Sequence, residues 1–254
     1  MTIMKTILLT NDDGIDSPGL KALLQAVNDI AQCTVVAPDR DNSAVSHALT
    51  MNRPLKVEKR SKEIFSVDGT PADCVALSLK KIFRSPPHLL ISGINNGPNL
   101  GSDIFYSGTV SAAIEGTMYG IPSIAISTGG EQPLNYRAAA LIAGLLARKI
   151  LEQSLPENIL LNVNVPSADH PRSIQITKQG TRLWKDAVQE TFDPRGVRHY
   201  WIGGGTAVID DREGTDVHCF ASDNVSITPI QLDRTSYPTV DILKNNWQLE
   251  DILL

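Results

Sequence analysis

Lys5-Thr6-Ile7-Leu8-Leu9-Thr10-Asn11-Asp12-Asp13-Gly14 runs a strand-like stretch directly into two adjacent carboxylates and a glycine. In an open α/β sheet the carboxyl ends of the strands are where ligands bind, because loops converge there and helix N-termini point into the crevice. Adjacent carboxylates repel each other, so their pairing at such a place points to a cation between them. A solvated Asp-Asp-Gly turn is the alternative reading of this segment taken alone.

Working outward, β-branched runs alternate with helix-like stretches through the first half, the pattern of βαβ units feeding a mostly parallel sheet. Strands are expected over 5–10, 33–37 (Cys33-Thr34-Val35-Val36-Ala37), 89–92, 123–127 and 159–165. Ser17 with Pro18 gives an N-cap and first-turn signal for a helix to about Ile30, and Thr70, Pro71 and Asp73 give the same signal for one from Cys74 to Phe83. Ser107-Gly108-Thr109 opens a third helix to Tyr119, and an Ala- and Leu-rich fourth spans Leu134 to Glu152. After Pro166 the texture changes to short β-like runs at 173–178, 198–202, 206–209 and 225–230, read as an antiparallel extension, with a short amphipathic helix or tail at 240–254. The expected fold class is therefore α/β: a Rossmann-like, mostly parallel sheet flanked by helices (1–166) with a β-rich C-terminal arm (167–254). The stretch from Leu183 to Ile202 carries Trp184, Phe192, Tyr200 and Trp201, which suits either a subunit interface or a second small core.

With 254 residues the chain can bury a substantial core. A formal net charge of −5, with both signs mixed throughout, offers no basic face for nucleic acid and no polybasic membrane patch. Cys33, Cys74 and Cys219 lack any C-x-x-C pairing and read as small buried hydrophobes. No basic segment followed by an apolar one opens the sequence and no apolar run approaches a membrane span, so a reducing, cytoplasmic setting is expected. Asn224-Val225-Ser226 matches a glycosylation acceptor in form and is read instead as part of a strand.

Four loops on one expected rim are rich in side-chain oxygen. Asp12 and Asp13 lie on the first, and Pro38-Asp39-Arg40-Asp41-Asn42-Ser43 forms the second. Ser92-Gly93-Ile94-Asn95-Asn96-Gly97-Pro98-Asn99 is the third, with glycines for close backbone approach and amide oxygens from Asn. These hard, oxygen-only donors suit Mg²⁺ or Mn²⁺ and fit zinc poorly. The fourth, Tyr106-Ser107-Gly108-Thr109-Val110-Ser111, presents a helix N-terminus, whose amides and dipole favour a phosphate. A cation beside an anion cradle points to phosphate-ester hydrolysis by an activated water, without a covalent enzyme intermediate. Each loop alone has an ordinary structural reading; their coincidence on one rim carries the inference.

The same segments resemble the SurE family of stationary-phase survival proteins, metal-dependent nucleotide phosphatases. The matching stretches are Ile7–Gly14, Val35–Arg40 with Ser43, Gly69-Thr70-Pro71-Ala72-Asp73-Cys74-Val75, Ser92–Asn99 and Tyr106–Val110. Similarity continues through Asn162–Pro166, Asp193-Pro194-Arg195-Gly196 and Gly214-Thr215-Asp216, nearly the whole chain, and is most specific over the first 128 residues. The resemblance implies one divalent ion per subunit (Mg²⁺ or Mn²⁺) held by Asp12, Asp13, Ser43 and Asn95, with Asp12 and Asp13 also orienting or deprotonating its water. It implies a nucleoside monophosphate substrate near Ser107, Gly108 and Thr109, to which the rim adds Asn96. A 5′-nucleotidase is the expected activity, with 3′-esters and polyphosphate as further substrates to test. Dimers or tetramers with an exchanged C-terminal arm are implied too. No role is carried onto Asp41, Asn42, Asp216 or His218.

Three other functions compete with this reading. A haloacid dehalogenase-type phosphatase would use Asp39 as nucleophile and Asp41 as acid, but Pro38 interrupts the strand just before them. A non-catalytic nucleotide-binding module would set paired carboxylates against phosphate with no counter-charge, and neither G-x-G-x-x-G nor G-x-x-x-x-G-K-[ST] occurs. A serine hydrolase lacks its G-x-S-x-G elbow; His47, four residues beyond Ser43, is the best candidate for proton transfer but is read as a loop-packing or helix-start residue.

Overall fold

The computed structural model describes residues 4–130, 134–167, 171–186, 188–203, 205–209 and 212–247. Strand β1 (Thr6–Thr10) lies between β2 (Gln32–Pro38) and β5 (Leu89–Asn96), parallel to both. Parallel pairing continues from β2 to β4 (Ile64–Val67) on one side, and from β5 through β6 (Ser123–Gly129) to β7 (Ile159–Pro166) on the other. The strands are apolar on both faces because helices cover both. Helices α1 (Pro18–Val27) and α4 (Arg137–Gln153) pack on one face with Ile7, Leu9 and Ile91, while α2 (Pro71–Leu77) and α3 (Gly108–Met118) pack on the other with Leu8, Leu90 and Val36. Each fully buried Leu or Ile contributes roughly 1.5–3 kcal/mol by removal from water.

Ser17 caps α1 by accepting from Leu20 N, and Asn11 donates to both Ser17 Oγ (2.8 Å) and Gly14 O (2.9 Å). The site loop after β1 is thereby fastened to the helix that follows it. The α1 helix stops at Val27 rather than Ile30, and α4 starts at Arg137 rather than Leu134. The expected helix to Phe83 is α2 continued by a π-helical turn, Ser78–Ile82.

Two strands not expected from the sequence, β3 (Val57–Ser61) and β4, form the sheet edge next to β2. β3 is largely exposed and polar, as suits an edge strand, and so shows no apolar signal. At the other edge β13 (Val225–Gln231) runs antiparallel to β7, and β8 (Ile174–Ile176) runs parallel to β13. The extension after Pro166 therefore completes the nine-stranded sheet, in the order β3-β4-β2-β1-β5-β6-β7-β13-β8. Its remaining strands make two antiparallel ribbons, β9 (Arg182–Lys185) with β12 (Thr206–Ile209) and β10 (Val188–Phe192) with β11 (Arg198–Ile202). The arm aromatics stay exposed, with Trp184 at 47%, Phe192 at 60% and Trp201 at 69%, so among the described residues they form no second core. Helix α5 (Asp216–Ala221) precedes β13, and α6 (Tyr237–Trp247) follows it; 248–254 of the expected tail lie outside the described residues. The three cysteines are buried and free, as expected. No described helix is long and apolar enough to cross a membrane.

Candidate functional site

The loops after β1, β2 and β5 and the start of α3 meet at the carboxyl end of the parallel strands, as the motif positions predicted. Asp12 is 5% exposed and accepts at Oδ2 from Thr109 N (3.0 Å) and at Oδ1 from Thr109 Oγ1. The first turn of α3 is thus directed at a carboxylate. Asp13, half-buried beside it, accepts at Oδ2 from Asn96 N (3.0 Å), which joins the first loop to the third. Asn42 N donates to Asp12 O (2.8 Å) and brings in the second loop.

Burial raises the pKa of Asp12, and the charge of Asp41 adds to the rise. Asp13 is pushed up to about 6, first by burial and then by the charge of Asp12. Neither carboxylate is ion-paired with a Lys, Arg or His among the described residues. Two desolvated, mutually repelling carboxylates that lack a basic partner fit a divalent cation, which would reverse both shifts. No three His, Cys, Asp or Glu side chains converge among the described residues, so neutral oxygens must complete such a donor set. Asn95 donates Nδ2 to Gly97 O (2.7 Å), leaving Oδ1 as its donor atom toward a cation. Ser43 donates both N (2.7 Å) and Oγ (2.6 Å) to Asp41 Oδ1, which leaves the hydroxyl lone pairs for ligation.

At the start of α3 Ser107 is the N-cap, its Oγ accepting from Val110 N (3.1 Å). Thr109 uses its amide and hydroxyl on Asp12, so it fixes the carboxylate. A Cβ on Gly108 would lie 2.8 Å from Asp12 Cβ and 3.1 Å from Val45 Cγ1, so only glycine permits this approach of helix to loop. Asn96, exposed, contacts the site through its backbone. Sequence reasoning missed two neighbours, Asp41, whose charge reaches both Asp12 and Asp13, and Tyr136, whose phenol pKa is raised by burial and by the charge of Asp13. Tyr136 stands directly before α4, where no motif marks it.

The Ser43 loop is held in a costly conformation, with Ala44 at φ 57° and Ser46 at φ 56°. Its tethers are Ser46 N to Tyr106 O (3.0 Å), Ser46 Oγ to Phe105 O (2.7 Å), and His47 Nε2 with the buried Glu115 Oε2 (2.7 Å). At its far end Asp73, 4% exposed, accepts from Thr50 N, Thr50 Oγ1 and Thr70 N, while Thr70 Oγ1 donates to Ala48 O. Gly69-Thr70-Pro71-Ala72-Asp73 is therefore a helix cap that also anchors this loop. Asp73→Ala leaves three donors unpaired and is expected to cost about 3 kcal/mol, a fall of roughly 6–12 °C in the thermal midpoint read by circular dichroism.

The family model described as Survival protein SurE matches residues 7–186. The chain is 49% identical over 247 residues to the 5′-nucleotidase SurE of Geobacter sulfurreducens, covering 96% of this chain and 94% of that protein. It is 48% identical over 240 residues to the 5′-nucleotidase SurE of Pelobacter propionicus, covering 93% and 97%. The crystal structure of the SurE protein from Aquifex aeolicus superposes with a TM-score of 0.83 at 42% identity, covering 94% of this chain and 98% of that one.

Proposed function

This chain belongs to the SurE family, and from that premise we propose that it is a metal-dependent phosphoric monoester hydrolase, a 5′-nucleotidase acting on nucleoside monophosphates. The observation that carries this reading is the adjacent carboxylates of Asp12, buried against the first turn of α3 and held by Thr109, and Asp13, half-buried and held by Asn96 N. Asp12, Asp13, Ser43 and Asn95 would hold one Mg²⁺ or Mn²⁺, which when bound supplies the countercharge for phosphate and an activated water. Ser107 shapes the helix start, and the Gly108 amide, which donates to no acceptor among the described residues, is available to a phosphate oxygen. Asn96 borders the substrate and Thr109 keeps Asp12 aimed at the site. A soluble, cytoplasmic protein, assembled as a homodimer or homotetramer through the exposed aromatic arm of 167–254, agrees with this reading.

The test is phosphate release from a panel of nucleoside 5′- and 3′-monophosphates and polyphosphate with Mg²⁺, with Mn²⁺ and with EDTA. Release from 5′-monophosphates is expected to fall at least ~100-fold in EDTA and to return with either ion. No release by folded protein under any metal overturns the proposal.

A further inference from the structure

Gly214-Thr215-Asp216 lies far along the chain from every site residue, yet Asp216 is 0% exposed. Its carboxylate accepts from Gly101 N at Oδ2 (2.8 Å), and from Gly180 N (2.7 Å) and Val217 N (2.9 Å) at Oδ1. No cation pairs with it among the described residues, so backbone amides alone satisfy the charge. Those amides belong to three separate segments. Gly101 begins the 3-10 turn Gly101–Phe105 after β5, Gly180 precedes β9, and Val217 follows Asp216 in the first turn of α5.

The loop from Gly97 to Tyr106 joins Asn95 and Asn96 on the cation side to Ser107 on the phosphate side. Its outer surface is held by the C-terminal extension. Gln179 Nε2 donates to Gly101 O (2.9 Å), Arg182 Nη1 pairs with Asp103 Oδ2 (2.9 Å), and Trp184 Nε1 donates to Asp103 Oδ1 (3.0 Å). Its inner surface rests on β7, with Asn99 N donating to Asn164 Oδ1 (2.7 Å) and Asn99 O accepting from Asn162 and Asn164. Gly101 sits at φ 53°, and a Cβ there would lie 3.0 Å from Arg182 N, so the loop closes onto the root of the arm at backbone distance.

We propose that Asp216 is a positioning residue for the phosphate side of the site. By fixing Gly101 against Gly180 it sets the height of the loop whose two ends are Asn96 and Ser107, and so the spacing between the paired carboxylates and the start of α3. The proposal rests on the reading of that rim as a phosphate-ester site. It also makes the root of the C-terminal arm part of the catalytic framework, since 179–184 supply most of the loop's outer contacts.

The test compares Asp216→Asn, Gln179→Ala and Leu146→Ala with wild type. Leu146, buried on α4 on the opposite face of the sheet, supplies a comparable loss of stability away from the loop. Gln179 is exposed, and its truncation removes one loop contact without disturbing the core. Asp216→Asn is expected to lower kcat about 10- to 100-fold and to weaken inhibition by inorganic phosphate, whereas Leu146→Ala keeps both at wild-type values. Gln179→Ala is expected to move both in the same direction by about 2- to 5-fold. Amide hydrogen exchange in the 97–107 peptide is expected to rise at least ~10-fold in Asp216→Asn, with the 39–50 loop unchanged. Wild-type kcat, phosphate inhibition and exchange in folded Asp216→Asn overturn the proposal, and so do wild-type values in Gln179→Ala if Asp216→Asn does not fold. Absence of phosphate release from wild type sinks the phosphatase reading instead, and the exchange readout then judges the loop tether alone.

Discussion

Asp13→Asn is expected to lower kcat/KM for a nucleoside monophosphate at least ~10³-fold, about 4 kcal/mol of transition-state stabilisation, while making the metal-free protein more stable at neutral pH. Both effects come from the same group. Asp13 is held with a pKa of about 6 against an ordinary value of 3.8, because burial and the neighbouring Asp12 charge disfavour its ionised form. A carboxylate whose folded pKa is raised contributes stability that is fully present below the unfolded value and is lost as pH rises through the folded value. The metal-free protein therefore loses stability from this group between about pH 4 and pH 6, and Asp12, also raised, acts in the same direction. After discounting for partial solvent exposure, Asp13 accounts for about 1–2 kcal/mol, roughly 2–8 °C in the thermal midpoint. Asp39 and Asp233, exposed, and Glu58, Asp68 and Asp193, half-buried, have lowered pKa values and work in the opposite sense. The difference between wild type and Asp13→Asn across pH 4 to 7 isolates the one carboxylate. Differential scanning calorimetry in EDTA and then in Mn²⁺ is the measurement. Wild type is expected to gain stability with the ion and the variant little. A wild-type midpoint that tracks the variant's at every pH in EDTA would show that the pair is not under electrostatic strain.

How much of this was legible in the chain depends on how local each signal is. The β1 strand, the Ser17–Pro18 and Thr70–Pro71 helix starts and the four rim loops all announce themselves within a few residues, because caps, turns and apolar runs are local physics. Parallel strand order then places the rim, so Asp12, Asp13, Asn96 and Thr109 meet as expected. What stayed hidden is long-range. Thr109 bonds Asp12 across 97 positions and Asp216 bonds Gly101 across 115, and no periodicity records such pairs. The β3 strand carries no signal for another reason: a polar strand at an exposed edge has little apolar patterning to read, and the four residues of β4 are too short a run to stand out beside it. Thr109 shows the limit at the site itself. Its place at a helix start suggested a phosphate contact, whereas both its donors are committed to the Asp12 carboxylate.

Gly108→Ala sets helix propensity against packing at the site, because the two respond with opposite signs. In an isolated helix, alanine is favoured over glycine by up to about 1 kcal/mol, so local propensity alone predicts a better α3. In the folded protein the added methyl would lie 2.8 Å from Asp12 Cβ, 3.0 Å from Asp12 Oδ2 and 3.1 Å from Val45 Cγ1. Neither neighbour can yield freely. Asp12 is held by two bonds from Thr109 at the helix start, and the Val45 loop is tied through Ser46 to Tyr106 and Phe105. Relief must come from α3 drawing back, which pulls Thr109 off Asp12, or from rotation of Asp12 away from Asp13. Either movement separates the carboxylate pair from the amides at the start of α3. The expected result is a loss of at least ~10²-fold in kcat/KM, as for loss of a preorganised oxyanion donor, at a net stability cost of only about 1–3 kcal/mol from overpacking. Steady-state kinetics with a thermal melt, and calorimetric titration of Mn²⁺ into the variant, measure the three quantities together. Weakened Mn²⁺ binding alongside the kinetic loss would place the damage at Asp12, whereas unchanged binding with raised KM would place it at the α3 amides. A variant with wild-type kinetics would show that the close approach of α3 to Asp12 is packing alone.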